Sequence, residues 1–357
     1  MKRIYQLIIM AIVFFLGFFA LNYYILFRMA FLLGFFQTNF MYSLIIIASA
    51  SYPIAMFIER NVSNIYTQIL YTIASIWMGI SFFVLFLLII YEILNFIFII
   101  PAFIAGVVIL VFSSLLTFYS LIHALMIQIK EIEIPFSGIS TDLRIVQLSD
   151  IHIGSIRNSG YMERIVKKTN DLNPDIVLIT GDMVDGSARL HKKTFCAIDN
   201  IKGPVLFVIG NHELYEGFDE VYRVLTPTKM MILRNEIFEF QGIQIIGVDY
   251  SFEKNHLENV LTGLKINKTL PSVLMYHVPQ GVEVSNKFGI NLQLSGHTHQ
   301  GQIFPFNLLV KLIFPHFNGL YKFKKTYIYV SAGTGTWGPP MRLGSSNEIS
   351  LITLKHS

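Results

Sequence analysis

The chain has 357 residues, 53% of them hydrophobic and only 14% charged, which excludes intrinsic disorder and leaves room for more than one sizeable core. Its formal net charge is +4, but five basic and two acidic groups lie in the first 130 residues, so the remainder is close to neutral. That balance excludes the basic stripe on which sequence-independent nucleic-acid binding depends.

Residues 1–130 read as a transmembrane helical domain. Their only charged side chains are Lys2, Arg3, Arg28, Glu59, Arg60, Glu92 and Lys130. A bilayer core takes roughly 20 consecutive apolar residues per helix, and four such runs occur, at 4–27, 40–58, 66–91 and 97–128. The first is too long for a signal-peptide core and lacks a small-residue cleavage site, so it is expected to be retained. The Phe31–Phe36 patch either extends the first helix or lies at the interface. Glu92 and His123 are read as structural rather than as part of an ion path, because the spans carry no paired carboxylates and no basic series. Lys2, Arg3, Arg60 and Lys130 fall on one side of a four-span arrangement, with Arg28 dissenting. Positive residues favour the cytoplasm, so the expectation is a multi-pass protein of the inner (cytoplasmic) membrane with its C-terminal part cytoplasmic. A single cysteine, Cys196, allows no internal disulfide.

Residues 131–141 are expected to be a linker, and 142–357 a single domain. Short apolar runs predict strands over 143–149, 175–180, 205–209, 243–248, 272–276, 292–294, 327–331 and 348–354. Such runs suit strands covered on both faces. Helices are expected over 159–170, behind a Ser159 cap, and over 189–200, 219–226 and 254–264. Strands alternating with helices, then mostly strands, predict an α/β core of two sheets between helical layers.

Five motifs follow these strands in order: Asp150-Ile-His152, Gly181-Asp182-Met-Val-Asp185, Gly210-Asn211-His212-Glu213, Tyr276-His277 and Gly296-His297-Thr298-His299. Five strand ends thus converge on one edge, where open α/β sheets place their ligands. Imidazole nitrogen with carboxylate and amide oxygen suits manganese, iron or zinc better than calcium. A pair of such ions clamps both the attacking and leaving oxygens of a phosphoryl displacement. Asp150, His152, Asp182, Asn211, His277, His297 and His299 are therefore the candidate metal ligands, with Asp182 able to bridge. His212, beside a ligand, is the candidate catalytic proton donor. Glu213 and Asp185 either orient ligands or are simply solvated loop groups.

In this pattern the chain resembles the calcineurin-like metallophosphoesterase family, over essentially all of 142–357. The resemblance implies a four-layer αββα sandwich with a binuclear site holding two divalent metal ions, manganese first and iron or zinc as alternatives. It implies that Asp150, His152, Asp182 and His299 hold one ion and Asp182, Asn211, His277 and His297 the other, with His212 contacting the phosphate. The ending Ser331-Ala-Gly-Thr-Gly-Thr-Trp-Gly-Pro-Pro-Met-Arg-Leu-Gly is similar to that of membrane-attached bacterial phosphodiesterases. Those usually carry glycine where this chain has Gln300. Arg342 is expected either to bind a substrate phosphate or to pair with Glu348.

After the last ligand, Ile303–Phe317 is apolar and is followed by Lys322, Lys324 and Lys325. This suits a flap against a membrane, with lysines at phosphate level; the alternative is a loop packed on its own domain. The expected partners are the lipid bilayer and a phosphorylated or nucleotide-linked lipid substrate. The specific expectation is hydrolysis of the pyrophosphate of UDP-2,3-diacylglucosamine, as in lipid A synthesis. A general phosphodiesterase of soluble substrates is the competing enzyme, and a metal-binding scaffold or transporter the competing non-enzyme. Oligomeric state is not legible in the sequence.

Overall fold

The computed structural model describes residues 2–35 and 38–356, with side chains from residue 12 onward. The described chain divides into two compact units, one running to Ile122 and including Gly338–Met341, the other His123–Trp337 with the residues from Arg342 onward.

In the first unit the charge-poor sequence forms α1 (Lys2–Leu32), α2 (Asn39–Val62), α3 (Ile65–Ile97) and α4 (Ala102–His123). All four are long and apolar enough to cross a membrane. The Phe31–Phe36 patch splits: α1 continues through Leu32, whereas residues 36 and 37 lie outside the described residues. The boundary between α2 and α3 is written in caps. Ser63 takes a left-handed φ of 44°, and the Asn64 side chain accepts from the backbone N–H groups of Tyr66 and Thr67. Some polar side chains pair between the spans. Arg28 donates to both carboxylate oxygens of Glu92 at 2.5 and 3.1 Å, and the Trp77 indole donates to Asn22 at 2.9 Å. Glu92 is therefore the partner of Arg28, and the dissenting positive charge is neutralised within the helical unit.

The second unit holds two six-stranded sheets. One is built from β1 (Ile127–Phe136), β2 (Leu143–Leu148), β3 (Ile176–Ile179), β4 (Val205–Phe207), β5 (Met231–Ile232) and the C-terminal strand, in the order β1-β12-β2-β3-β4-β5. The other contains β6 (Glu236–Phe240), β7 (Ile243–Val248), β8 (Ser272–Tyr276), β9 (Leu292–Ser295), β10 (Gly319–Phe323) and β11 (Thr326–Val330), ordered β10-β11-β9-β8-β7-β6. Strand β12 is Asn347–His356. Helices α5 (Ser159–Asp171), α6 (Lys192–Phe195), α7 (Asn211–Glu216), α8 (Phe218–Leu225), α9 (His256–Gly263), α10 (Val282–Lys287) and α11 (Phe306–Ile313) connect them.

Alternation along each strand makes the layers. In β2, Leu143 and Ile145 face the core between the sheets, while Val146 and Leu148 face the helical layer of Met162, Ile165 and Val166 from α5. In β8, Val273 and Met275 face the inter-sheet core, and Leu274 and Tyr276 pack towards Leu257 and Leu261 of α9. Both faces of these strands are buried, which is why they read as continuous apolar runs.

Two expectations need correction. Residues 127–136, divided in the sequence reading between the membrane region and a linker, form a strand paired in parallel with β12 from Ile127↔Asn347 to Phe136↔His356. Its charged residues lie on a half-exposed edge strand, while Ile134 and Phe136 enter the inter-sheet core. The cap of α5 is Asn158, which accepts from the Gly160 N–H at 3.1 Å, and not Ser159.

Candidate metal centre

Asp150, Asp182 and Asn211 follow β2, β3 and β4 of one sheet, and His277 and His297 follow β8 and β9 of the other. The two carboxyl-terminal edges meet. His277 Nδ1 donates to the Thr180 carbonyl at 2.8 Å, and the Gln147 side chain reaches the Ser295 carbonyl at 2.9 Å. Close approach depends on absent side chains. A Cβ at Gly296 would collide with Ser149 Oγ and Asp150 Oδ2, and one at Gly210 with Asp182.

Three overlapping groups of ligand atoms result among the described residues: two without His212, and a third that joins His152, Asp185 and His212. Asp150, His152 and His299 converge, with His152 Nε2 3.0 Å from His299 Nε2, and His299 Nε2 3.5 Å from Asp150 Oδ1. Asp182, His277 and His297 converge as well, with His277 Nε2 3.1 Å from both Asp182 Oδ2 and Asn211 Oδ1, and 3.2 Å from His297 Nδ1. The same Asp182 oxygen lies 3.9 Å from His152 Nε2 in the other group. It stands between the two.

The backbone is bent to make this arrangement. Asp150, His152, Asp182, His297 and His299 all have φ between 50° and 72°, a conformation that β-carbons disfavour. Five such residues in one cluster represent stored strain of order 1–3 kcal/mol each, a pattern found at functional sites. Glu213 holds the loop in place. Its carboxylate accepts from the N–H groups of Gly210, Asp182, Met183 and Val184 at 2.7–3.2 Å. Burial, and then the Asp182 charge, push this carboxyl up to about 7 against the pull of those donors. Glu213 thus orients ligands and is not a solvated loop group.

The donor set fits divalent cations. His277 spends its Nδ1–H on a carbonyl, which directs Nε2 into the cluster, as ligating histidines generally require. Burial works to lower His277, yet the charge and hydrogen bond of Asp182, then Asp150, carry it up to about 10. His297, by contrast, is pushed down to about 4 by burial and by His277. The carboxylates demand positive charge while burial holds His152, His297 and His299 below the ordinary histidine value, the combination a bound cation satisfies.

His212 lies outside the two groups but beside both. Its Nδ1 is 2.9 Å from the Asp185 carbonyl, and its ring stands edge-on to His152 at 4.5 Å. Burial works to lower it, but the charges of Asp182 and Asp185 prevail and raise it above the ordinary histidine value.

Arg342 is a correction. It is fully buried, and it donates to Asn347 Oδ1, to Ser345 Oγ and to the carbonyls of His299, Ala332 and Gly335. Its donors are spent on the loop that carries His299, so no phosphate-binding face remains, and Glu348 instead accepts from Tyr329 and the Ala332 N–H. Arg342→Gln is expected to lower the unfolding temperature, because each orphaned carbonyl costs about 1–3 kcal/mol; thermal denaturation in detergent measures this. The lysines are a second correction. The β10–β11 register sets Gly319 opposite Val330 at the ligand edge, so Lys322, Lys324 and Lys325 lie towards the opposite end of the sheet. Gln300 takes the left-handed conformation (φ 52°, ψ 29°) that glycine would supply there, so the loop keeps its path at a cost in strain.

Sequence reasoning missed the aromatic neighbours of the histidines, among them Tyr215, Tyr250 and Trp337, and also Arg157. The Arg157 guanidinium, buried over the Tyr161 ring, donates to Thr336 at 2.7 Å. Trp337 lies in the Ser331–Gly344 ending without a role assigned to it there, and the others belong to no spaced motif.

The calcineurin-like phosphoesterase family model matches residues 143–301. The chain is similar to an uncharacterized metallophosphoesterase of Campylobacter jejuni, at 34% identity over 69% of this chain and 68% of that protein. An uncharacterized metallophosphoesterase of Helicobacter pylori is 38% identical over 64% of each chain. A transmembrane protein with metallophosphoesterase domain from Danio rerio is 33% identical over 70% of this chain and 62% of its own length. The chain thus spans slightly under two thirds of the Helicobacter and Danio proteins.

Proposed function

This chain belongs to the calcineurin-like phosphoesterase family, and we propose that it is a membrane-bound two-metal hydrolase of a phosphodiester or pyrophosphate bond. The observation that carries the reading is the single Asp182 oxygen standing between two histidine–carboxylate groups. Asp150, His152, Asp182 and His299 would hold one ion, and Asp182, Asn211, His277 and His297 the other, with manganese favoured over iron or zinc. Such ions supply Lewis acidity to phosphoryl oxygens and lower the pKa of water. The protein's own part is positional. Glu213 fixes the Asp182 loop, and Asp185 holds His212 by Nδ1 so that Nε2 can pass a proton to the leaving oxygen.

The substrate we propose is UDP-2,3-diacylglucosamine, cleaved at its pyrophosphate to UMP and a lipid phosphate. Four apolar helices and a transmembrane relative support a membrane substrate. The sidedness we propose, a cytoplasmic active domain on the inner membrane, draws support from Lys2, Arg3, Arg60 and Lys130, now that Arg28 is paired. Depletion followed by mass spectrometry of membrane lipids is expected to show this nucleotide-lipid accumulating. An unchanged pool overturns that substrate. Hydrolysis of bis-p-nitrophenyl phosphate then judges the two-metal reading separately.

Helix α11 lends the lipid reading a physical basis. Val310 is its buried contact, while Phe306, Leu308, Leu309, Leu312 and Ile313 are 49–82% exposed. An exposed apolar stripe of this kind suits insertion at the headgroup boundary. Phe304 and Phe314, expected in the flap, are only half exposed, and Phe314 packs edge-on to His297 at 5.5 Å. Leu309, Leu312 and Ile313 changed together to Gln are expected to raise KM for a lipid-linked substrate in vesicles by at least tenfold, since each buried Leu or Ile contributes about 1.5–3 kcal/mol. Hydrolysis of a small soluble ester should hardly change. Equal loss on both would make the helix a packing element.

A further inference from the structure

Five aromatic side chains form a continuous chain of ring contacts around the histidines of the metal centre. Phe314 stands edge-on to His297 at 5.5 Å, and Tyr250 stacks over the same imidazole at 6.5 Å. Tyr250 meets Phe252 at 5.2 Å, Phe252 meets Tyr215 at 6.3 Å, and Tyr215 meets the proton-donor candidate His212 at 5.4 Å. Trp337 stands edge-on to His212 at 6.2 Å. Tyr250 and Phe314 also pack against the core beneath α9, but core packing does not account for the other three, because Tyr215 and Trp337 are each 49% exposed and Phe252 is 64% exposed.

Trp337 is also held in place. Its N–H donates to Gln302 Oε1 at 2.9 Å and its carbonyl accepts from Gln302 Nε2 at 2.8 Å. Gln302 itself adopts a left-handed φ of 52°. An exposed indole clamped at its backbone by a strained residue is preorganised for contact and loses little freedom on binding.

We propose that this collar is a stacking subsite for a planar aromatic group, the base of a nucleotide, joined to the phosphate held at the metal centre. The inference rests on the phosphoesterase reading of that centre and adds what the site recognises beside phosphorus. Tyr215, Phe252 and Trp337 keep about half or more of their surface open to a further ring, and the collar residues carry no charge with which to select a polyanion. Base–aromatic stacking is tolerant of base identity, so the class is a nucleoside phosphate and not one particular base. Acyl chains would be served by a closed apolar groove, whereas two of the collar's five members carry phenolic hydroxyls.

The test is a binding measurement on the full chain in detergent, loaded with manganese. Trp77→Phe leaves Trp337 as the sole tryptophan, and its emission is followed during titration with UMP, ribose 5-phosphate and dodecyl phosphate. UMP is expected to quench the emission and to bind at least about tenfold more tightly than ribose 5-phosphate, within the range that stacking supplies. By competition against a chromogenic ester, Trp337→Ala and Phe252→Ala should each erase most of that preference, and Trp337→Phe should retain it. Equal affinity for UMP and ribose 5-phosphate overturns the subsite. Dodecyl phosphate binding as tightly as UMP overturns its assignment to planar groups. Should the protein hydrolyse no phosphate ester at all, the phosphoesterase reading fails, while the comparison of UMP with ribose 5-phosphate still decides the collar.

Discussion

Asp182→Asn is expected to lower turnover further than any other single ligand change. The reason is geometric. One oxygen of Asp182 lies 3.1 Å from His277 Nε2 and 3.9 Å from His152 Nε2, so its charge serves both groups, whereas Asp150 belongs to one. A pair of Lewis acids supplies several kcal/mol of transition-state stabilisation, and at about 1.4 kcal/mol per tenfold its loss is roughly 10³ in rate. Asparagine keeps an oxygen able to accept from the His212 N–H, as Asp182 Oδ1 does at 2.9 Å, so the loop should still fold. Elemental analysis should find less than two ions per chain in the variant. Chelation of the unaltered protein should abolish hydrolysis and manganese should restore it. Full activity in metal-stripped protein would end the two-metal hypothesis.

The site was more legible in the sequence than its surroundings. Asp150, Asp182, Asn211, His277 and His297 each follow a short apolar strand, and a strand buried on both faces leaves a periodic signal that ends where the ligand begins. What the sequence could not carry was direction in space. Arg342 looked equally suited to a phosphate or to Glu348, because spacing along the chain does not reveal that the His299, Ala332 and Gly335 carbonyls converge on it. Lys322, Lys324 and Lys325 follow the last ligand closely in sequence, yet an antiparallel hairpin carries them away from it. Strand β1 was obscured because its apolar residues change face midway, Ile127 and Ile129 packing with the helical layer and Ile134 and Phe136 with the inter-sheet core. The aromatic collar draws on three separate loops and one helix, and such an assembly leaves no local pattern to read.

His212→Gln is expected to separate chemistry from metal binding. The imidazole lies outside the two groups that Asp182 joins, and its Nδ1 is committed to the Asp185 carbonyl, so Nε2 is the atom that faces the reaction. Loss of a positioned general acid costs roughly 10²–10⁴ in rate, while ion content should stay unchanged. Two further readouts distinguish proton donation from mere packing. The p-nitrophenolate leaving group departs without a proton and an alkoxide does not, so the loss should be much larger on an alkyl ester than on bis-p-nitrophenyl phosphate. Against burial, the charges of Asp182 and Asp185 raise His212 above its ordinary value, which favours the protonated, active form. Activity that depends on this proton is present below the raised pKa and lost as pH climbs through it. The alkaline limb of the kcat profile should therefore lie above 6.5 and vanish in the variant. His212 also sits within ligand distance of His152 and Asp185. If ion content falls together with activity, that third grouping is the true site and His212 is a ligand; if alkyl and aryl esters suffer alike, it is not the acid.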